Sequence, residues 1–224
     1  MYYQPAQQLK LYRNFKSLRV NDFHSIVRYY EEFEEAMRAL NFDEYFDCTY
    51  AYTAALFETG DYGKHVVMCD HLLEIIIMEN VESWAGEDVY AQVLFKKAAS
   101  LYRLREDAQA EHVLRELLKL HPEDPLSRRL LQVCLLRRRP RWLLQTRAIA
   151  IVLLLLGAVA VAVALFVVEP FFSPYAQAAR WIYNALMLGG AGLLAAGEFA
   201  HYWRSSSRVR GFAKKMRRRK AVHF

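Results

Sequence analysis

Residues 148–168 read AIAIVLLLLGAVAVAVALFVV, a run of twenty-one positions without a charge. At about 1.5 Å of rise per residue, a helix of that length matches the roughly 30 Å hydrocarbon thickness of a bilayer. A second apolar stretch, Trp181–Gly197 (WIYNALMLGGAGLLAAG), extends to Trp203 if Glu198 and His201 are tolerated. Two spans this close together predict an integral membrane protein anchored by a helical hairpin. Its parts are a first transmembrane helix over 148–168, a short external loop over 169–180 and a second transmembrane helix over 181–203.

The charges on either side set the expected orientation. Residues 137–224 hold 15 Lys and Arg but 2 acids, a balance of +13, whereas residues 1–136 hold 15 Lys and Arg and 22 acids, a balance of −7. The basic residues flank the spans: Arg137, Arg138, Arg139, Arg141 and Arg147 before the first, then Arg204, Arg208, Arg210, Lys214, Lys215, Arg217, Arg218, Arg219 and Lys220 after the second. Lys and Arg concentrate in cytoplasmic flanks. Both termini are therefore expected in the cytoplasm, at the plasma or inner membrane if the source is bacterial. A basic juxtamembrane linker covers 140–147 and a basic cytoplasmic tail covers 204–224. The opening MYYQPAQQLK has no apolar core and does not read as a secretory signal. Cys48, Cys69 and Cys134 lack CxxC spacing, lie in apolar stretches and read as reduced, buried thiols.

Before residue 140 there is little period-2 alternation. Apolar residues recur three and four apart, as in Leu94, Leu101, Leu104, Leu114, Leu117 and Leu118. Turns interrupt them at Asn21-Asp22-Phe23, Gly60-Asp61-Tyr62 and Arg105-Glu106-Asp107, a spacing that suggests two-helix repeats with small insertions. The reading is all-α: an array of helical hairpins over 1–139, closed by a capping helix, Leu126–Arg139, that starts after Asp124-Pro125 and is broken by Pro140.

The clearest unit, Ala91–Asp124 (AQVLFKKAASLYRLREDAQAEHVLRELLKLHPED), resembles a tetratricopeptide repeat (TPR) over its 34 residues. Ala98 and Ala110 stand at its small positions, Leu94, Leu101, Tyr102, Leu114 and Leu117 at its large apolar ones, and Pro122 where the second helix ends. Leu94 and Ala98 replace the family's usual Trp and Gly. Phe46–Asn80 is a weaker copy, with His65 where a small residue is expected and its helix pair expected to splay; Gln7–Leu40 is weaker still, and Val81–Tyr90 is an insertion.

The resemblance implies a peptide groove on the inner face, lined by first helices. Carried over by position, that face takes Asp47, Tyr50, Ala54 and Phe57 from one unit and Gln92, Phe95, Ala99, Tyr102 and Arg103 from the next. Tyr50, Phe57, Phe95, Tyr102 and Arg103 are the groove candidates. Aromatics stand where carboxylate-clamping members carry Asn and Lys, so the expected partner is an apolar or amphipathic segment. The alternative is that these rings simply pack against the array's own helices.

Other candidates are weighed on chemistry. His65 and Cys69 share a helix face while His71 points away, too few ligands for a metal site. Gly190–Ala195 matches a loose dinucleotide pattern but lies inside a span, where small residues serve helix packing instead. Gly157 on the first span, and the ridges Ala185/Gly189 and Gly192/Ala196/Ala200 on the second, are the packing candidates, within one hairpin or between chains. Glu198 reaches the interface or pairs with Arg204; the alternative is proton sensing. Lys214, Lys215, Arg217, Arg218 and Arg219 are candidates for anionic lipid headgroups. The acidic face Tyr29–Glu35 is a solvated surface or a dock for a basic segment such as 204–220. No catalytic constellation, cofactor motif or nucleic-acid-binding fold is legible. The expected function is a non-enzymatic, membrane-anchored adaptor that recruits a cytoplasmic protein or peptide. The alternative is an oligomeric membrane effector or pore component regulated by its repeat domain.

Overall fold

A computed structural model describes residues 5–84, 86–138, 140–168 and 173–222. Those residues are helical, and none of them forms a strand. In chain order the helices are α1 (Pro5–Ser17), α2 (Phe23–Glu32), α3 (Glu34–Met37), α4 (Phe42–Thr59), α5 (Tyr62–Met78), α6 (Val89–Arg103), α7 (Asp107–Leu120), α8 (Pro125–Arg137), α9 (Arg141–Val163) and α10 (Ala176–Val222). A π-helical segment, Ala164–Val168, continues α9, and a 3₁₀ turn, Ser173–Tyr175, precedes α10. Residues 169–172 of the expected external loop, Arg139, and the ends of the chain lie outside the described residues. Two compact units emerge: Met1–Cys134 with Met216–Phe224, and Leu135–Lys215.

In the first unit α2 packs on α4, and α4, α5, α6 and α7 then pack each on the next. Short polar side chains start the helices. Asp22, Asn41, Asp61, Asp88 and Asp124 each accept a backbone N–H three residues on, at 2.9–3.3 Å. Each satisfies one of the donors a helix N-terminus leaves unpaired. The Gly60-Asp61-Tyr62 turn is built as its residues suggest. Gly60 sits at φ +83° and gives its N–H to Phe57 O, while the Asp61 N–H reaches back to Leu56 O. Arg105 repeats this turn between α6 and α7 at φ +68°, a conformation that favours glycine.

Among the described residues, two hydrophobic clusters stand out in the unit. Phe15, Ile26, Tyr30, Met37, Leu40, Cys48, Tyr52 and Leu56 form one, and Tyr30 stacks on Tyr52 at 4.1 Å. Phe46, Cys69, Leu72, Ile76, Val89 and Val93 form the other. The insertion after α5 contributes to this second core. Trp84 and Glu87 exchange backbone hydrogen bonds, and the Trp84 ring meets Phe46 edge-on at 4.8 Å. Ala98 and Ala110 are fully buried in the α6–α7 pair, with Leu101, Leu114, Leu117 and Leu118 around them.

In the second unit, α9 and α10 each carry an apolar stretch long enough to cross a membrane. The helix of the first span begins at Arg141, so the basic stretch before it is helical too. The two helices run antiparallel, and their contact line follows residues seven apart. Leu143, Ala150, Gly157 and Ala164 are buried on α9. On α10 the close positions are Gly190 and Gly197. A methyl at Gly190 would stand 2.9 Å from Leu154 and 3.2 Å from the Ala150 carbonyl; one at Gly157 would stand 3.2 Å from Met187. Gly189 and Gly192 have open space around them, and Ala185 and Ala196 are exposed. Gly157 thus packs as expected, while the named ridge on α10 faces away from α9. The contact follows a 3.5-residue period, the period of an antiparallel coiled pair, not the four-residue small-xxx-small step.

Two outcomes are expected. Gly190→Leu should separate the hairpin, at a cost of about 1–3 kcal/mol for overpacking, while Gly192→Leu should leave it intact. Cysteine cross-linking between α9 and α10 in detergent reads the difference. Arg105→Gly should raise the midpoint of thermal unfolding, by relieving about 1 kcal/mol of left-handed strain.

Candidate functional site

A groove of about 880 Å3 opens on the helical array. One wall is a single face of α6, with Asp88, Ala91, Gln92 and Phe95 at steps of three and four. The other wall holds Leu117 and His121 at the end of α7 and Pro122–Leu126 in the turn to α8. Arg217, near the end of α10, completes the lining. Most of the surface is apolar, with polar side chains on both walls, the usual composition of a ligand groove.

Local chemistry explains several of those polar groups. Asp88 caps α6 through the Ala91 N–H at 2.9 Å, and its second oxygen pairs with His121 Nε2 at 2.9 Å. Asp124 accepts from the Leu126 and Ser127 amides and the Ser127 hydroxyl at the start of α8. Burial alone would raise its carboxyl, but those hydrogen bonds hold it below the usual carboxylate range. Glu123 pairs with Arg217.

Of the five groove candidates, Phe95 lines this groove. Tyr50 donates its hydroxyl to Gln92 at 2.7 Å and stacks on Phe46. Phe57 packs against Tyr62 and His65. Tyr102 is half-buried and Arg103 exposed, and neither borders the groove. Asp47 is taken by α1, through the Tyr12 hydroxyl at 3.0 Å and Lys16 at 2.7 Å. The α4 part of the expected inner face is thus spent on helix-to-helix contacts. His121, Pro122, Glu123 and Leu126 belong to the groove without having been singled out; the common face of Asp88, Gln92 and Phe95 was the available signal.

The remaining candidates sort by their partners. Two acids of the face before α4 are paired internally: Glu31 pairs with Lys64 at 2.8 Å, which holds its carboxyl low, and Glu34 pairs with Arg38 at 2.6 Å. A smaller cavity of about 610 Å3 opens there, beside Tyr30, Tyr52 and Met68. Glu198 pairs with Arg147, not with Arg204, whose guanidinium lies 5.5 Å above the Trp142 ring. Lys214, Lys215, Arg218 and Arg219 are exposed. Val209, Ala213 and Met216 are buried, so the basic tail is an amphipathic helix rather than a free strand of charge.

His65 is fully buried, where a small residue was expected. Its Nδ1 shares a 2.9 Å hydrogen bond with Ser100 Oγ of α6, its ring packs on Phe57 of α4, and Cys69 Sγ lies 3.5 Å away. The imidazole therefore bridges three helices. His71 turns outward to the Tyr45 hydroxyl at 2.8 Å. Among the described residues no three potential ligands converge on a metal position. Burial pushes the Cys69 thiol up to about 12 and the His65 imidazolium down to about 4.

The low value at His65 has a consequence for stability. Below about pH 6.5 the unfolded chain takes up a proton that the folded chain refuses until about pH 4, so stability falls with pH across that window. His65→Gln, which keeps a partner for Ser100, should flatten the dependence of the unfolding midpoint between those limits. Comparison with protein-family models, with curated proteins and with solved structures finds no match to this chain.

Proposed function

We propose that this chain is a non-enzymatic adaptor, held in a membrane by the α9–α10 hairpin, whose TPR-like helical array takes up a peptide segment of a cytoplasmic partner. The observation that carries the reading is the groove between α6, α7 and the turn to α8. It is about 880 Å3, mostly apolar, and lined by Phe95, Leu117 and Leu126 together with polar side chains such as Asp88 and Glu123. That volume accommodates several side chains of an inserted segment. The basic flanks of both apolar helices support a topology with the two termini in the cytoplasm. Lys214, Lys215, Arg218 and Arg219 would then meet anionic headgroups.

A photo-crosslinking residue at Phe95 of the full-length protein, irradiated in its native membranes, should capture a discrete partner. The same residue at Ile77, exposed on α5, should not. Loss of the protein from the membrane fraction after an alkaline wash, or equal capture from both positions, would sink the proposal.

A second reading, a homo-oligomeric membrane effector, draws on the exposed small-residue face of Ala185, Gly189, Gly192 and Ala196. Small faces let helices of separate chains approach closely in lipid. This reading expects cross-linked dimers that Gly192→Leu abolishes.

A further inference from the structure

The acids that line the groove specify the charge of what enters it. Three acids line the groove: Asp88, Glu123 and Asp124. Asp88 is consumed by the α6 cap and His121, and Asp124 by the α8 cap. The Glu123 carboxylate serves no helix cap; its partner among the described residues is Arg217, which itself borders the groove. Lys96, the groove's cation on α6, stands eight residues beyond Asp88, about 12 Å along the helix.

We infer that the groove receives a basic segment of a partner protein, with an arginine or lysine on Glu123 and apolar side chains along Phe95 and Leu117, and that the chain's own Arg217 holds this seat in the resting state. The inference rests on the groove being the peptide site. Charge complementarity commits the occupant, and the chain supplies an example of it. Arg217 follows the buried Met216 and stands within a run of exposed cations. The resident contact is weak by construction. Arg217 and Glu123 keep 46% and 68% of their side-chain surface exposed, and an ion pair so open contributes about 1 kcal/mol or less. A partner segment that also fills the apolar wall therefore displaces it.

The test uses the full-length protein in neutral detergent and a fluorescein-labelled peptide of sequence FAKKMRRRKAV, residues 212–222 of the chain. Arg217→Ala should bind this probe about threefold to fivefold tighter than the wild type, the fold-change set by freeing one exposed ion pair. Glu123→Gln on the Arg217→Ala background should remove that gain. The double variant Arg217→Glu with Glu123→Arg should bind the probe no better than that pair of changes, because a cation then stands in the seat. Hydrogen exchange gives a second readout: Glu123→Lys should speed exchange of the amides from Arg217 to the end of α10. Unchanged exchange together with unchanged probe affinity in Arg217→Ala overturns the resident occupant. Probe binding that ignores Glu123, while capture from Phe95 persists, overturns the basic partner and leaves the groove standing. Failure of both the probe and the Phe95 capture removes the groove reading itself.

Discussion

Helices in this protein meet where the side chain is small enough for the backbones to come close. In the array, Ala98 and Ala110 are fully buried where α6 and α7 pack, and larger leucines close around them. In the hairpin, Gly157, Gly190 and Gly197 leave no room for a longer side chain. The geometry is shared but the driving force differs. Around Ala98, burial of leucine in water supplies the free energy. Between two helices in lipid that term is absent, and close van der Waals contact has to serve instead.

The groove follows from how α6 and α7 end. Because Asp88 both caps α6 and pairs with His121, the first turn of one helix is tied to the last turn of the other. Pro122 cannot continue α7, and Asp124 then restarts the chain as α8. The turn between them and Phe95 of α6 line the same groove. Glu123, at the crest of that turn, is left with a carboxylate no helix uses.

Much of this organisation is legible from residue type. The turn at Gly60-Asp61-Tyr62, the cap at Asp124 and the apolar run 148–168 each follow from local rules, and the structure contains all three. His65 shows where such rules stop. A position that local pattern reserves for a small residue accepts an imidazole because Ser100, thirty-five residues away, meets it with a hydrogen bond. The packing face of α10 is a similar case. Gly189 and Gly190 are equivalent in sequence, yet only Gly190 lies against α9. The seven-residue spacing of Gly190 and Gly197 against Ala150, Gly157 and Ala164 is the pattern that separates them.

The sequence by itself determined the helical class, several of the turns and caps between helices, and the two segments apolar enough for lipid. These depend on interactions within a few residues or on composition along one stretch. Tertiary structure alone decided which aromatic rings pack and which remain available, that Glu198 pairs with Arg147, and that Arg217 sits on Glu123. Those pairings join residues 51 and 94 positions apart in the chain. No periodicity encodes them, because they exist only once the intervening helices have fixed the distance.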